Sequence, residues 1–196
     1  MPMMHNFATE RQGSTKKEHW TWSRSGTESS VEDVCAQLLR EYNINTAELD
    51  AASFQELVHE VYEAKSSELV VRKGELERHL QVLKLWLSAD ILSVPHVLVA
   101  VCKVQRGKRE FETTDRPISM RMQGGSKWPQ AVEKALIERL GVTMDAVKKG
   151  ILVKEDTYRL VEEVAYSRSF PGLKTVYRIH EVTCQVVDVQ GLGLPE

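Results

Sequence analysis

The sequence predicts an α+β protein in which a small helical unit precedes a mixed β-sheet with packed helices. Three observations predict it. Apolar side chains recur at helical spacing between residues 31 and 67. From Glu68 the pattern changes to short β-rich runs separated by turn residues. A single amphipathic helix, Ala131–Leu140, then separates those runs from a second set of long strands.

The chain has 196 residues, 42% of them hydrophobic, enough for one full domain or a domain with a smaller appendage. Its net charge of -2, from 26 basic and 28 acidic residues, provides no general attraction to nucleic acid or an anionic membrane. The one compact basic strip is Arg106-Gly-Lys-Arg109. Cys35, Cys102 and Cys184 are odd in number, far apart and not at metal-ligand spacing, so they read as reduced, buried thiols in a reducing compartment. The apolar stretch Leu80–Val104 is interrupted by Gln81, Lys84, Asp90, Ser93, Pro95 and His96, which argues against a membrane span. The expected location is the cytoplasm.

Residues 1–30 are polar and aperiodic and read as a flexible tail, with an organellar leader as the other reading. They carry Trp20-Thr-Trp22, whose indoles need a surface to bury them. That surface is either a protein partner or the chain's own body, where the segment would form a short edge strand. Residues 31–67 form the helical unit. Ser30 and Asp33 make a capping-box-like start, followed by Val34, Cys35, Leu38 and Leu39 on one face. A second helix begins near Ala52 and carries Phe54, Leu57, Val58, Val61 and Tyr62.

Residues 68–196 form the sheet domain. Leu69–Val71, a turn at Lys73-Gly74 and Leu76–Leu87 predict a hairpin. The alternation slips at Val82-Leu83, which predicts a bulge there. His96–Val104 is almost continuously apolar and reads as a central strand, followed by strands over Arg109–Thr113 and Pro117–Met122. After the loop Gln123-Gly-Gly-Ser-Lys127, Pro129 suits the first turn of the amphipathic helix, whose predicted stripe is Val132, Ala135, Leu136 and Leu140. Ile151–Val153, Tyr158–Ala165 and Lys174–Val189 supply further strands, with Phe170-Pro-Gly-Leu173 as a tight turn. The chain stops soon after this apparent strand, suggesting a subunit whose sheet is completed or covered by a partner.

The end of the amphipathic helix, Lys134-Ala-Leu-Ile-Glu-Arg-Leu-Gly-Val142, resembles the end of the Nudix box, Arg-Glu-U-x-Glu-Glu-x-Gly-U with U aliphatic. Leu136, Glu138, Gly141 and Val142 keep its skeleton. The resemblance is specific over Gln123–Val142, topological over residues 96–196, and absent over 1–67. It implies a Nudix-like mixed sheet with packed helices, and a chemistry in which Mg²⁺ neutralises a nucleoside diphosphate and activates water. It also implies a ligand set that this chain has mostly lost. The family arginine falls on Lys134, the following glutamate on Ala135, and the second of the paired acids on Arg139. Ungapped, the upstream glutamate falls on Ser126 and the box glycine on Met120, or on Gly124 or Gly125 after a short deletion. Mg²⁺ prefers octahedral oxygen ligands, and a guanidinium beside the one remaining carboxylate repels it. Glu133 lies five residues before Glu138, about 140° around the helix, so the two do not converge.

These readings point to a non-catalytic Nudix-like interaction or scaffold module, a subunit or accessory protein of a larger assembly with protein partners. No cofactor is expected, and no catalytic or metal residue beyond Glu138 should activity survive. One alternative is a Mg-dependent hydrolase of nucleoside diphosphate derivatives, combining Glu138 with Glu133, Glu162 or Glu163. The other is an RNA-binding module of a ribonucleoprotein. Trp128, placed to stack on a base or to staple the helix into the core, joins Glu138 and His180 as a candidate ligand residue. Trp20 and Trp22 are the candidate partner contacts. His180 reads either as a pocket residue or as an ordinary strand histidine. No other metal spacing, Walker loop, GxSxG or GxGxxG stands in the chain.

Overall fold

Ser30 caps the first helix, α1 (Val31–Glu41): its hydroxyl accepts from the Asp33 backbone N–H, and the Asp33 carboxylate accepts from that of Ser30. Asp50 caps α2 (Ala51–Val58) in the same way, accepting from the Ser53 N–H at 2.6 Å. That helix runs into a single π-turn, His59–Glu63. The computed structural model describes residues 29–105, 108–167 and 169–192, and only the backbone over 100–115. Trp20, Trp22 and the basic tip at 106–107 lie outside the described residues.

The main sheet contains β1 (Ser67–Arg72), β2 (Glu75–Ile91), β3 (Val94–Leu98), β6 (Ile118–Arg121), β7 (Ile151–Tyr166) and β8 (Lys174–Val186). β2 and β8 run parallel at its centre, and every other pairing is antiparallel. One flank of β2 is shared end to end by β1, β6 and β3, while β7 lies beyond β8. β4 (Ala100–Gln105) and β5 (Lys108–Arg116) form a separate two-stranded ribbon. Between β6 and β7 come α3 (Trp128–Leu140) and α4 (Met144–Gly150). The expected α+β mixed sheet with packed helices is present. Among the described residues no helix is long and apolar enough to cross a membrane.

The slip at Val82-Leu83 is not a bulge. β2 and β8 stay in unbroken register from Glu77↔Lys174 to Ala89↔Val186. The covered face changes instead. Successive strand residues point to opposite faces, so Leu76, Arg78 and Leu80 face one side and Leu83, Leu85 and Leu87 the other. On the first side, Leu76 packs with Cys35, Leu39, Leu49, Leu57, Val58, Phe170 and Leu173, a core shared with the helical unit. On the second, Leu83, Leu85 and Leu87 pack with Ala131, Val132, Ala135 and Leu136 of α3 and with Val182 and Cys184 of β8. The sheet is therefore roofed at one end by α1 and α2 and, on its opposite face, at the other end by α3 and α4.

Four other expectations are corrected. The run at His96 is not a buried central strand where its side chains are described: all of Val94–Leu98 is exposed, and Leu92 at the hairpin tip is 95% exposed. Apolar continuity reflects a projecting hairpin here. Ile151–Val153 and Tyr158–Ala165 are parts of one strand, β7, whose register with β8 shifts between Lys154 and Arg159. The last strand ends at Val186 rather than Val189. The α3 stripe gains Ala131, while Leu140 is only half-buried. Cys35 and Cys184 are buried free thiols, as expected, pushed by burial up to about 11 and about 12.

Glu60, in the π-turn, is 2% exposed and touches the sheet face that the helical unit covers. Its carboxylate accepts from Arg78 Nε at 3.1 Å and Nη2, from Arg121 Nη1, and from Ser67 Oγ at 3.4 Å. The Arg78 guanidinium also lies 4.6 Å over the Phe170 ring. Arg78 is 2% exposed and Arg121 39%, so removing the acid strands one charge in the interior and leaves the other access to water. Glu60→Ala is expected to lower the free energy of unfolding by about 3–5 kcal/mol. In the Glu60→Ala background, Arg78→Met should recover part of that loss and Arg121→Met much less. Urea unfolding of the four proteins provides the measurement.

Candidate functional site

β7 departs from β8 between Lys154 and Arg159, where the four residues 155–158 of β7 stand opposite the single residue Val182 of β8. Thr157 pins this bulge: its hydroxyl donates to Lys154 O at 2.6 Å and accepts from the Thr183 N–H at 2.9 Å. The detour brings Tyr158 against Trp128, the first residue of α3. Their rings stack with centroids 4.6 Å apart and planes 17° apart.

The Tyr158 hydroxyl lies 3.0 Å from His180 Nδ1, and His180 Nε2 lies 3.0 Å from Gln81 Oε1. An amide oxygen only accepts, so Nε2 carries the proton and Nδ1 accepts from the tyrosine hydroxyl. The neutral imidazole satisfies both neighbours without rearrangement. Burial, and secondarily the Arg178 charge, hold the His180 pKa below the usual value. Trp128 and His180 therefore belong to one relay, Trp128–Tyr158–His180–Gln81, that crosses from helix to sheet.

Glu138 does not join it. It lies ten residues along α3 from Trp128, about 15 Å of helix rise, and is exposed. Its carboxylate lies 3.7 Å from Lys134 Nζ, one turn earlier, as an i,i+4 pair. Arg139 reaches back to Ser119 O at 3.5 Å. Glu162 and Glu163, the other acids considered for a rearranged ligand set, project from opposite faces of β7, and Glu163 meets Lys84 at 3.9 Å. Among the described residues no three His, Cys, Asp or Glu side chains gather as a metal site. Gly141 closes α3 in the left-handed conformation, φ +69°, with its N–H bonded to Ile137 O at 2.9 Å.

A cleft of about 80 Å³ opens beside this relay, on the sheet face that α3 leaves bare. Lys65, His79, Gln81, Gln123, Gly124 and Arg178 line most of it. A smaller hollow next to it, about 70 Å³, runs past Arg121, Ser126 and Gln130 to Lys134. Tyr158, Gln81 and Arg178 escaped sequence reasoning because a bulge and cross-strand pairing bring them together. Glu60, in the π-turn, had no local signal either, because Glu56 and Glu63 stand beside it in the sequence and both are exposed.

No protein-family model and no curated protein matches this chain. Among solved structures it is similar to an Ap4A hydrolase of C. elegans, with a TM-score of 0.36 and 12% identity over 59% of this chain and 74% of that one. A binary complex of a C. elegans Ap4A hydrolase gives a TM-score of 0.36 and 11% identity over 55% and 68%. These likenesses are too distant to transfer a residue's role.

Because the folded state holds His180 neutral, it excludes a proton that the unfolded chain binds below its ordinary pKa of 6.5. The associated stability is present above that pH and is lost as the pH falls through 6.5 towards the depressed folded value. Urea midpoints measured across this range should decline on acidification, and His180→Gln should flatten the decline. An unchanged slope in that variant would place the titration elsewhere.

Proposed function

We propose that this protein is a Nudix-type scaffold that acts by binding a protein partner rather than by hydrolysis. The disposition of the α3 acids carries this reading. Glu138, the carboxylate kept from the box, is partnered by Lys134, with Arg139 as its neighbour. A divalent ion at Glu138 would have to displace the ammonium and tolerate the guanidinium. The rearranged alternatives fare no better, since Glu162 and Glu163 face opposite ways and Glu133 lies about 140° around the helix from Glu138.

The partner surface proposed is the β2–β3 hairpin. Ile91, Val94, Val97 and Leu98 are 50%, 54%, 51% and 45% exposed around the bare tip at Leu92. Leu92 and Ser93 both have positive φ, 52° and 64°, the conformation of a tight hairpin turn. A firmly formed arm presenting five apolar side chains to water fits a surface made to be covered.

Two experiments test the two halves of this reading. Incubation of the full chain with Mg²⁺ and a panel of dinucleotide polyphosphates should yield no turnover above blank. Turnover abolished by Glu138→Gln would contradict it and restore the hydrolase alternative. Separately, Leu92→Lys with Val97→Lys should change the free energy of unfolding by no more than about 0.5 kcal/mol per substitution, as surface changes do. The same pair should remove partners that co-purify with the wild-type chain from its source cell. Undiminished co-purification would move the docking surface elsewhere.

A further inference from the structure

We propose that the cleft between Lys65, His79, Gln81 and Arg178 is a binding site for a tetrahedral oxyanion of the phosphate class, carried on a small molecule. The inference rests on the cleft's own geometry and is independent of the reading above.

Charge is the first argument. Most basic side chains around the sheet are neutralised locally: Arg78 and Arg121 by Glu60, Lys174 by Glu75 and Glu77, Arg159 by Glu181, Lys84 by Glu163. Lys65 and Arg178, like Arg72 and Lys154, make no ion pair among the described residues, and of these four only Lys65 and Arg178 line the cleft. Glu162 stands in register with Arg178 on β7 and still makes no ion pair with it. Among the described residues Glu68 is the only acid lining the cleft, and it is exposed.

Donors are the second argument. His79 donates Nε2–H to Glu77 at 2.8 Å, so in the neutral ring Nδ1 is an acceptor and supplies no donor to an anion. Gln81 gives its carbonyl oxygen to His180, which leaves its amide hydrogens without an acceptor among the described residues. Residues bearing an ammonium, a guanidinium and a free amide thus line one hollow, a combination suited to oxyanion recognition. The hollow, about 80 Å³, is several times the roughly 10–15 Å³ that one water needs and leaves room for a phosphoryl group.

The third argument is that the walls are already fixed. Lys65 sits in the left-handed region at φ +50°, and its carbonyl accepts from the Gly124 N–H at 2.8 Å. A Cβ at position 124 would come within 2.9 Å of that carbonyl, so glycine is required for the loop to close on Lys65. Ser66 N–H bonds to Glu60 O at 2.8 Å and Met122 N–H to Gln81 O at 2.9 Å. The cleft is held open from three directions before any ligand arrives, which lowers the ordering cost of binding.

The test is calorimetric titration of the full chain with inorganic phosphate, pyrophosphate and 5′-AMP, with acetate as a charge control. Saturable one-site binding of at least one phosphate probe, and none of acetate, is expected. Arg178→Gln and Lys65→Gln should each weaken it about tenfold or more, the scale of one charge-assisted hydrogen bond, while Lys148→Gln on α4 leaves it unchanged. Both lysine positions and Arg178 are exposed, so the fold of each variant can be verified by its thermal midpoint. Saturation should also raise the His180 imidazole pKa, read by NMR, because a bound anion offsets the Arg178 charge; in Arg178→Gln that shift should vanish. Absence of saturation by every phosphate probe to about 10 mM, or equal affinity in both cleft variants, would overturn the proposal. Binding without turnover leaves the scaffold reading intact, and turnover without binding at this cleft would refute both independently.

Discussion

The Glu60 carboxylate, shared between Arg78 and Arg121 where the helical unit meets the sheet, is the contact on which the rest of the structure depends. A buried acid is expensive to desolvate, and so is a buried guanidinium. Neither is tolerable here without the other. The arrangement ties the π-turn at the end of α2 to two different strands, β2 through Arg78 and β6 through Arg121. The same turn sets the path of Lys65 and Ser66, and so one wall of the cleft. A charge cluster in the interior thereby reaches the surface as loop geometry.

The sheet's unusual covering follows from a central pair longer than any one helix layer. β2 and β8 share thirteen paired positions, yet each helix layer roofs only part of that length. Coverage therefore alternates, with α1 and α2 on one face at one end and α3 and α4 on the other face at the other. This leaves two bare half-faces. One bears the polar set Trp86–Glu181–Arg159, with the indole donating to the carboxylate at 2.7 Å. The other bears the cleft. The site is thus located by where α3 stops, and its side chains are those that a longer helix would have buried.

Much of the fold was legible because local signals decide it. The capping box at Ser30 and Asp33, the Lys73-Gly74 turn and Gly141 after α3 each specify backbone geometry from a few adjacent residues. The errors came where periodicity has two physical causes. A shift of phase at Val82-Leu83 signals either an inserted residue or a change of covered face, and only the partner strand distinguishes them. A continuous apolar run at His96 signals either a central strand or an exposed arm, and only the neighbours decide. The candidate site was half legible. Trp128 and His180 were singled out from their positions, and both fall on one relay. Tyr158 and Gln81, which connect and orient them, are 22 and 99 residues from His180. No local pattern encodes that closure.

If Glu60 joins helices and strands into one body, the amides of α1 and α2 open with the sheet and not ahead of it. Native-state hydrogen exchange reads this directly, because each amide reports the free energy of the opening that exposes it. Under weakly denaturing conditions the protected amides of α1 and α2 should merge with those of β2 and β8 into one isotherm. A separate isotherm of lower free energy for the helices, unaltered by Glu60→Ala, would show that they unfold independently and that the clasp does not unite the two parts.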